Sequence, residues 1–371
     1  MTPTPKVYFS DMRTRAGYNL LNKLDQLITR AGMEKIDFQG KFTAIKLHFG
    51  EPGNLAYLRP NYAALVARKI KELGGRPYLT DCNTLYFGSR GNAVDHLQAA
   101  MENGFNYLST GCQVIIADGL SGKDDEEIEI NLKHVKMAKI GCALAQADVI
   151  VSLTHFKGHE ATGFGGVLKN IGMGSGSRRG KLEMHSSSKP RIDEEKCIAC
   201  GMCLRNCPEK AISYNERKKA QIDYELCIGC GQCIASCHYG AARGRYDENA
   251  IALNEKIAEY AYAVVKDKPH FHISLMMNIS PNCDCWDMND QAIVPDVGMA
   301  ASFDPVALDR ACVDLVNQAG MVHGSALEEA KWVEGKDKFN LIYPDTRWQD
   351  CLKHAEAIQL GSQIYQLITI K

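Results

Sequence analysis

Two identical runs of four cysteines constrain this chain more than any other feature. Cys197, Cys200, Cys203 and Cys207 stand in the spacing C-x2-C-x2-C-x3-C, followed at once by Pro208. Thirty residues later Cys227, Cys230, Cys233 and Cys237 repeat that spacing without gap or insertion. The repeat runs deeper than the cysteines: Ile192-Asp193 matches Ile222-Asp223, Ile198 matches Ile228, and Gly201 matches Gly231. This doubled spacing is that of a site for two cubane iron–sulfur centres. Thiolates two residues apart on a tight loop converge on three corners of one cluster, and the fourth follows once the chain has turned into a short helix. The glycines let the backbone pass close to the sulfurs and aim amides at them. Zinc is the competing reading, because Cys-x2-Cys pairs also build zinc ribbons. Eight cysteines in two nested runs argue against it.

The stretch from Arg191 to about Arg245 resembles the bacterial two-[4Fe–4S] ferredoxin. That resemblance implies one cluster on Cys197, Cys200, Cys203 and Cys237, and a second on Cys227, Cys230, Cys233 and Cys207. The second run ends in His238 where the family usually has proline. Proline is no ligand, so the departure touches the exit of the chain rather than ligation.

At 371 residues the chain is far longer than such a module, so two or three structural units are expected. With 45% hydrophobic and 23% charged residues, the remainder can bury an ordinary globular core. A net charge of −1 gives no electrostatic argument for nucleic acid or an anionic membrane. The start lacks the apolar run of a signal peptide, no apolar segment approaches membrane-spanning length, and Arg178-Arg179 is internal. Fifteen cysteines without a secretory signal point to metal ligation in a reducing compartment, hence a cytoplasmic protein.

Outside the cysteine-rich stretch, strands and helices alternate. Residues 42–47, 77–80, 114–117 and 149–153 read as strands, and a helical pattern opens at Pro60 and stops at Gly74-Gly75. Ala93–Asn103 and Met137–Gln146 read as helices. After the cysteines, Ile251–Val265 reads as a helix and Phe271–Asn278 as a strand. Asp304 is placed to cap a helix starting at Pro305, Trp348–Leu360 reads as another, and Gln363–Ile370 as a closing strand. The fold class expected is α/β: a mostly parallel sheet with helices on both faces, interrupted by an inserted ferredoxin-like α+β module. The domain organisation expected is residues 1–160 and 247–371 as one α/β domain, a Gly/Ser-rich loop or linker at 161–190, and the ferredoxin-like unit at 191–246.

In such sheets, ligands bind beyond the carboxyl ends of the strands. Polar residues gather there: Lys46, His48 and Glu51; Asp81 and Asn83; His155, Lys157 and His159; Asn278, Cys283 and Cys285. His155 and His159 would share a face if helical, but Gly158 argues for a loop, and H-E-x-x-H is absent because Glu160 follows the second histidine. With Lys157 they suit anion binding or proton transfer. The catalytic candidates are therefore His48, Asp81, His155, Lys157 and His159. Lys169, Asn170, Gly172 and Gly174 are the candidates for holding a cofactor. The glycines could offer amides to a phosphate, but the segment fails the P-loop spacing, with Leu182 where Ser or Thr would bind magnesium, and a flexible linker is its competing role. Cys283 and Cys285, one residue apart, are too close for a relaxed disulfide and could chelate a metal or present a redox thiol. Cys82 also sits at a strand end, whereas Cys112, Cys142, Cys312 and Cys351 read as packed apolar residues.

The motifs KLHFGE, YLTDCNTLY, THFKGHEATGFGGVLKNIGMG and NCDCW, together with the cysteine runs, resemble the DUF362 family of iron–sulfur centre proteins across nearly the full chain. The resemblance implies an α/β domain carrying an inserted two-cluster module and implies no reaction. The expectation is an oxidoreductase passing electrons from a soluble partner through two low-potential [4Fe–4S] clusters to a small-molecule site at the strand ends. The alternative is a non-catalytic electron carrier or cluster-bearing adaptor that docks a redox partner. A third reading, purely structural clusters in a nucleic-acid enzyme, lacks a basic surplus. A flavin or additional metal is compatible with the chain but has no motif supporting it.

Overall fold

The computed structural model describes residues 3–85, 88–185, 190–227, 233, 237, 239, 241–244 and 248–370. Cys230, Ile228, Gly231 and His238, singled out above, lie outside the described residues. The main sheet has eight strands: β1 Lys6–Asp11, β2 Phe42–Lys46, β3 Arg76–Asp81, β4 Gln113–Ile116, β5 Val149–His155, β6 His270–Met276, β7 Gly298–Ser302 and β8 Gln366–Thr369. Their order is β8-β1-β7-β6-β5-β2-β3-β4. Every pairing is parallel except the two made by β7, which runs antiparallel to both β1 and β6. The α/β class follows from this strand order.

The register explains which residues reach the carboxyl edge. Lys46 sits beside Thr80 on one side and Ser152 on the other, so β2 and β3 end within one residue of each other while β5 runs on to His155. β5 (VIVSLTH) is buried along its whole length, as a strand covered on both faces must be. Six longer helices accompany the sheet: α1 Leu20–Ala31, α2 Pro60–Glu72, α3 Ala93–Glu102, α4 Glu248–Val265, α5 Pro305–Gln318 and α6 Trp348–Ala357. α1 and α2 pack on each other, and α4, α5 and α6 form a second packed group. Local chemistry fixes the ends. Asn19 accepts from the amides of Leu21 and Asn22 to start α1, and Gly32 (φ 87°) closes it in the left-handed region. Asp304 caps α5 in the same way, with Pro305 in its first turn.

β5 and β6 are hydrogen-bonded neighbours, yet more than a hundred residues separate them in the chain, and these carry the cysteine-rich unit. That unit is two small antiparallel ladders, Pro190–Ile192 with Ala242–Gly244 and Ile212–Tyr214 with Ala220–Ile222, plus a short helix at Met202–Arg205. Its halves echo each other in hydrogen bonding. Asp193 N donates to Ala241 O at 2.7 Å where Asp223 N donates to Ala211 O at 2.8 Å.

Several elements differ from the sequence reading. Met137–Gln146, expected as one helix, is a strand at Met137–Gly141 paired with Asp125–Glu129, followed by a single turn at Cys142–Ala145. The Met-Ala-Lys-Ile run fits either period, and its cross-strand partner, the acidic DEEIE, has too little apolar character to announce itself. β1, α1 and β7 lie outside the elements expected from sequence; β7 (GMAAS), buried along its whole length, lacks the branched and aromatic residues that mark a strand. The segment 161–190 carries a short strand at Gly163–Gly165 paired with Lys157–His159, a helix at Val167–Ile171 and another at Arg178–His185. Most of 163–176 is buried, and its glycines serve close packing. A Cβ on Gly172 would lie 2.3 Å from the carbonyl oxygen of Ile257 in α4.

Candidate functional site

At the carboxyl edge, buried charges are paired with buried charges. Lys46 Nζ, fully enclosed, donates to Asp81 Oδ1 at 3.0 Å and to Asn170 Oδ1 at 2.9 Å. Burial pushes Asp81 up, but Lys46, His48 and His96 around it hold the carboxyl well below the usual range. Burial draws Lys46 down, and Asp81 opposes this. Gly174 is required by this pair, since a Cβ there would meet Lys46 Nζ at 2.5 Å.

Beside it, Arg90 Nε donates to Glu51 Oε2 at 2.7 Å, and its Nη1 lies 2.8 Å from His48 Nε2. Gly50 N donates to His48 Nδ1 at 3.0 Å. Burial, together with the Arg90 charge, keeps His48 well below the ordinary histidine range, so its ring is neutral. Arg90 is 1% exposed, and its Nη2 has no hydrogen-bond partner among the described residues.

The third group is organised by Asp284, between the two cysteines of the C-x-C pair. Its Oδ2 lies 2.8 Å from His155 Nδ1 and 3.3 Å from Lys157 Nζ. The other ring nitrogen of His155 donates to Met277 O at 2.8 Å. Both nitrogens face oxygen acceptors, so the ring satisfies both only when both carry hydrogen. Burial pushes Asp284 up, and the charges of His155 and Lys157 outweigh it, holding the carboxyl well below the usual range. The loop is further pinned by Glu51 N donating to Asp284 O at 3.0 Å and Gly158 N donating to Ser280 O at 2.8 Å. Gly158 is obligatory for that approach: a Cβ would lie 2.2 Å from Pro281 O.

This anchoring sets Cys283 and Cys285 against His159 and Lys169. Ligand atoms of His159, Cys283 and Cys285 lie within 4.8 Å of one another, close enough to share a metal ion. Lys169 Nζ is 3.8 Å from Cys283 Sγ. A hydrogen bond from the Cys285 thiol, with Lys169 and His159 alongside, brings Cys283 well below the ordinary thiol range. Cys285 is pushed up correspondingly by its bond to Cys283 and by burial. The surrounding thiolate charge raises Lys169 against the effect of burial.

A cleft of about 520 Å³ opens among these groups, lined by Lys46, His48, Asp81, Arg90, Lys157, Lys169, Asn170, Gly174, Lys181, Cys283 and Cys285, among others. Thus His48, Asp81, Lys157, Lys169, Asn170 and Gly174, chosen from sequence, meet at one place. His155 stands behind the cleft as the anchor of Asp284, and Gly172 packs on α4 away from it. Asn278 is exposed, with its amide tied to Asp296. The sequence reading missed Arg90, Lys181 and Asp284. Arg90 lies in a loop with no strand end beside it, and Asp284 passed for a spacer. Cys82 is a buried thiol donating to Ser175 O at 3.3 Å, and burial raises it well above the ordinary range.

In the inserted unit, a second cavity of about 350 Å³ is lined by Cys197, Cys200, Cys203 and Cys237, with Ile192, Ile198, Ala220 and Tyr239. Backbone amides point at the sulfurs: Ala220 N to Cys197 at 3.4 Å, Ala242 N to Cys237 at 3.4 Å and Ala211 N to Cys207 at 3.3 Å. Cys203 and Cys233 are buried with Cys197 in a small core of Ile212, Ala220, Ala241 and Ala242. Cys197, Cys200, Cys203, Cys207, Cys227 and Cys237 are not joined by disulfides.

Residues 43–314 match the family model described as a domain of unknown function, DUF362. No curated protein matches the chain. Among solved structures, the lactate racemase apoprotein of Thermoanaerobacterium thermosaccharolyticum is similar at 12% identity and a TM-score of 0.39, over 98% of this chain and 82% of that one. A structural-genomics protein of Thermotoga maritima is similar at 11% identity and a TM-score of 0.36, over 79% of this chain and 57% of its own. Both likenesses are remote. No helix among the described residues is long and apolar enough to cross a membrane.

Proposed function

The chain belongs to the DUF362 family, and from that premise we propose that it is an iron–sulfur oxidoreductase, moving electrons from a redox partner to a small molecule in the strand-end cleft. The observation that carries this reading is the cavity bounded by Cys197, Cys200, Cys203 and Cys237. Three of these residues come from the first run and Cys237 from the end of the second, which is the set that a cluster with an exchanged fourth ligand requires. An amide-lined sulfur environment fits a cluster, since amide-to-sulfur hydrogen bonds stabilise the charge on it. Cys207, Cys227, Cys230 and Cys233 would hold the second. When bound, such clusters supply one-electron transfer at low potential.

The chain's own residues account for the receiving end. Arg90, Lys169 and Lys181 give the cleft a cationic wall that selects an anionic substrate. The buried pairs Lys46–Asp81 and Lys157–Asp284 fix its geometry while cancelling their own charge. His48, held neutral, accepts from Gly50 N at Nδ1, so its Nε2 carries the ring hydrogen and can donate to a substrate oxygen once that substrate displaces Arg90.

The carrier reading has one observation in its favour. Ile198 and Tyr239, both on the rim of the cysteine-lined cavity, are more than half exposed, which gives a partner an apolar landing beside the cluster edge. A partner is needed under either reading, so the cleft separates them. Reduction with a low-potential donor, followed by low-temperature electron paramagnetic resonance, tests the proposal: two interacting cluster signals are expected, and Cys203→Ala should abolish one. A reduced protein that stays silent and colourless rules it out.

A further inference from the structure

Cys283, Cys285 and His159, with Lys169 beside them, have no redox or metal chemistry in the account above. Three ligand-type atoms so close together invite a metal, and His159 decides against one. A metal-bound imidazole carries hydrogen on its other ring nitrogen and donates it to a carbonyl or carboxylate. His159 is arranged the opposite way, because its Nδ1 accepts from the amides of Ala161 and Thr162 at 3.1 and 3.2 Å. With Nδ1 occupied as an acceptor, a ring hydrogen sits on Nε2 and leaves no lone pair there for a metal. Lys169 donates to Cys283 Sγ at 3.8 Å, and the Cys285 thiol and the His159 ring lie within 4.8 Å of the same sulfur. That is the environment of a stabilised thiolate beside a protonated partner thiol.

Two further groups that line the cleft supply recognition. Arg90 lines the cleft with a buried Nη2 that lacks any partner among the described residues. Lys181 Nζ donates to Gly176 O at 2.7 Å rather than to a carboxylate. A spare guanidinium nitrogen and an ammonium bonded only to a carbonyl, within one cleft with two thiols, suit a small molecule that is both anionic and reducible by sulfur.

We propose that Cys283 and Cys285 are a redox dithiol that reduces a small anionic disulfide bound in the cleft. The thiolate of Cys283 bonds to one sulfur of the substrate disulfide while its S–S bond breaks and one substrate thiolate leaves. Cys285 then attacks Sγ of Cys283, its proton passing to the departing thiolate, and the second substrate thiolate is released. One disulfide is exchanged for another, and two electrons have moved from protein to substrate. A single residue between the cysteines makes the resulting disulfide strained and hence readily reduced again, as a catalytic couple requires. The inference rests on the cleft being the reacting site and not on the clusters.

The test uses anaerobically purified protein with its bound metal intact, incubated with oxidised glutathione, digested and mapped by mass spectrometry. The parent should acquire a disulfide linking Cys283 to Cys285, and Cys285→Ser should trap glutathione on Cys283. Lys169→Ala should slow that adduct roughly ten-fold, because less of the sulfur is ionised. The parent measurement stands even where a variant fails to fold. Sulfurs that do not react, an adduct forming equally fast on Cys285 in Cys283→Ser, or a metal ion held by the parent and lost in Cys283→Ser would each overturn the proposal. Iron content and the visible spectrum of the same sample report on the inserted unit, so failure of the dithiol and failure of the clusters are told apart.

Discussion

His155 Nδ1 lies 2.8 Å from Asp284 Oδ2, joining segments 129 residues apart on either side of the cysteine-rich insert. Lys157 reaches the same oxygen at 3.3 Å. One buried carboxylate thus holds an imidazole, an ammonium and the backbone of the C-x-C loop. Asp284→Ala should cost about 3–5 kcal/mol, since it leaves buried charge uncompensated. Urea unfolding checks the loss, and Asp284→Asn, which keeps one acceptor, should lose less.

Lys46 and Asp81 form a second enclosed pair at 3.0 Å. Removing either alone strands the other, so Lys46→Met and Asp81→Asn should be non-additive. The double variant should be more stable than the sum of the single losses by about 1–3 kcal/mol. A double-mutant cycle on unfolding free energies measures this, and simple additivity would mean the charges do not depend on each other.

Asp118 gives a pH dependence of the less common sign. Burial raises its carboxyl from 3.8 to about 6, while Asn83 donates to Oδ1 from its amide and side chain. The folded state therefore keeps a proton that the unfolded chain releases at lower pH. Its contribution to stability is fully present below about pH 4 and is lost as pH rises through about 6, by roughly 3 kcal/mol. Asp118→Asn should be free of this loss. The difference in unfolding free energy between variant and parent should grow from pH 4 to 7 and then level off; a pH-independent difference would contradict the assignment.

Gly172 separates a packed segment from a flexible one. With the Ile257 carbonyl 2.3 Å from where a Cβ would stand, Gly172→Ala must displace α4 or the short helix before it. The expected cost is about 1–3 kcal/mol. In a flexible linker the same change would be neutral or slightly stabilising, and calorimetry distinguishes the two.

The parts of this molecule that follow local rules were legible in its sequence. Pro60 opening α2, Asp304 capping α5 and the apolar run of β5 are signals carried by a few neighbouring residues. The parallel arrangement then placed Lys46, Asp81 and Lys157 at one edge without further information. What escaped depends on distant partners. β7 is a strand because β1 and β6 flank it, not because Gly-Met-Ala-Ala-Ser favours one. The glycines of 163–176 looked like flexibility because the surfaces they touch, α4 and Lys46, are far away in the chain. Arg90 and Lys181 joined the cleft from loop and helix positions that no strand-end rule covers.

The central claim is that the inserted cysteines hold iron as two separate clusters. It is tested most directly by quantifying iron, acid-labile sulfide and zinc in protein purified without oxygen. The account expects about eight iron atoms and about eight sulfides per chain, with negligible zinc. Zinc in place of iron, or iron without labile sulfide, would contradict it.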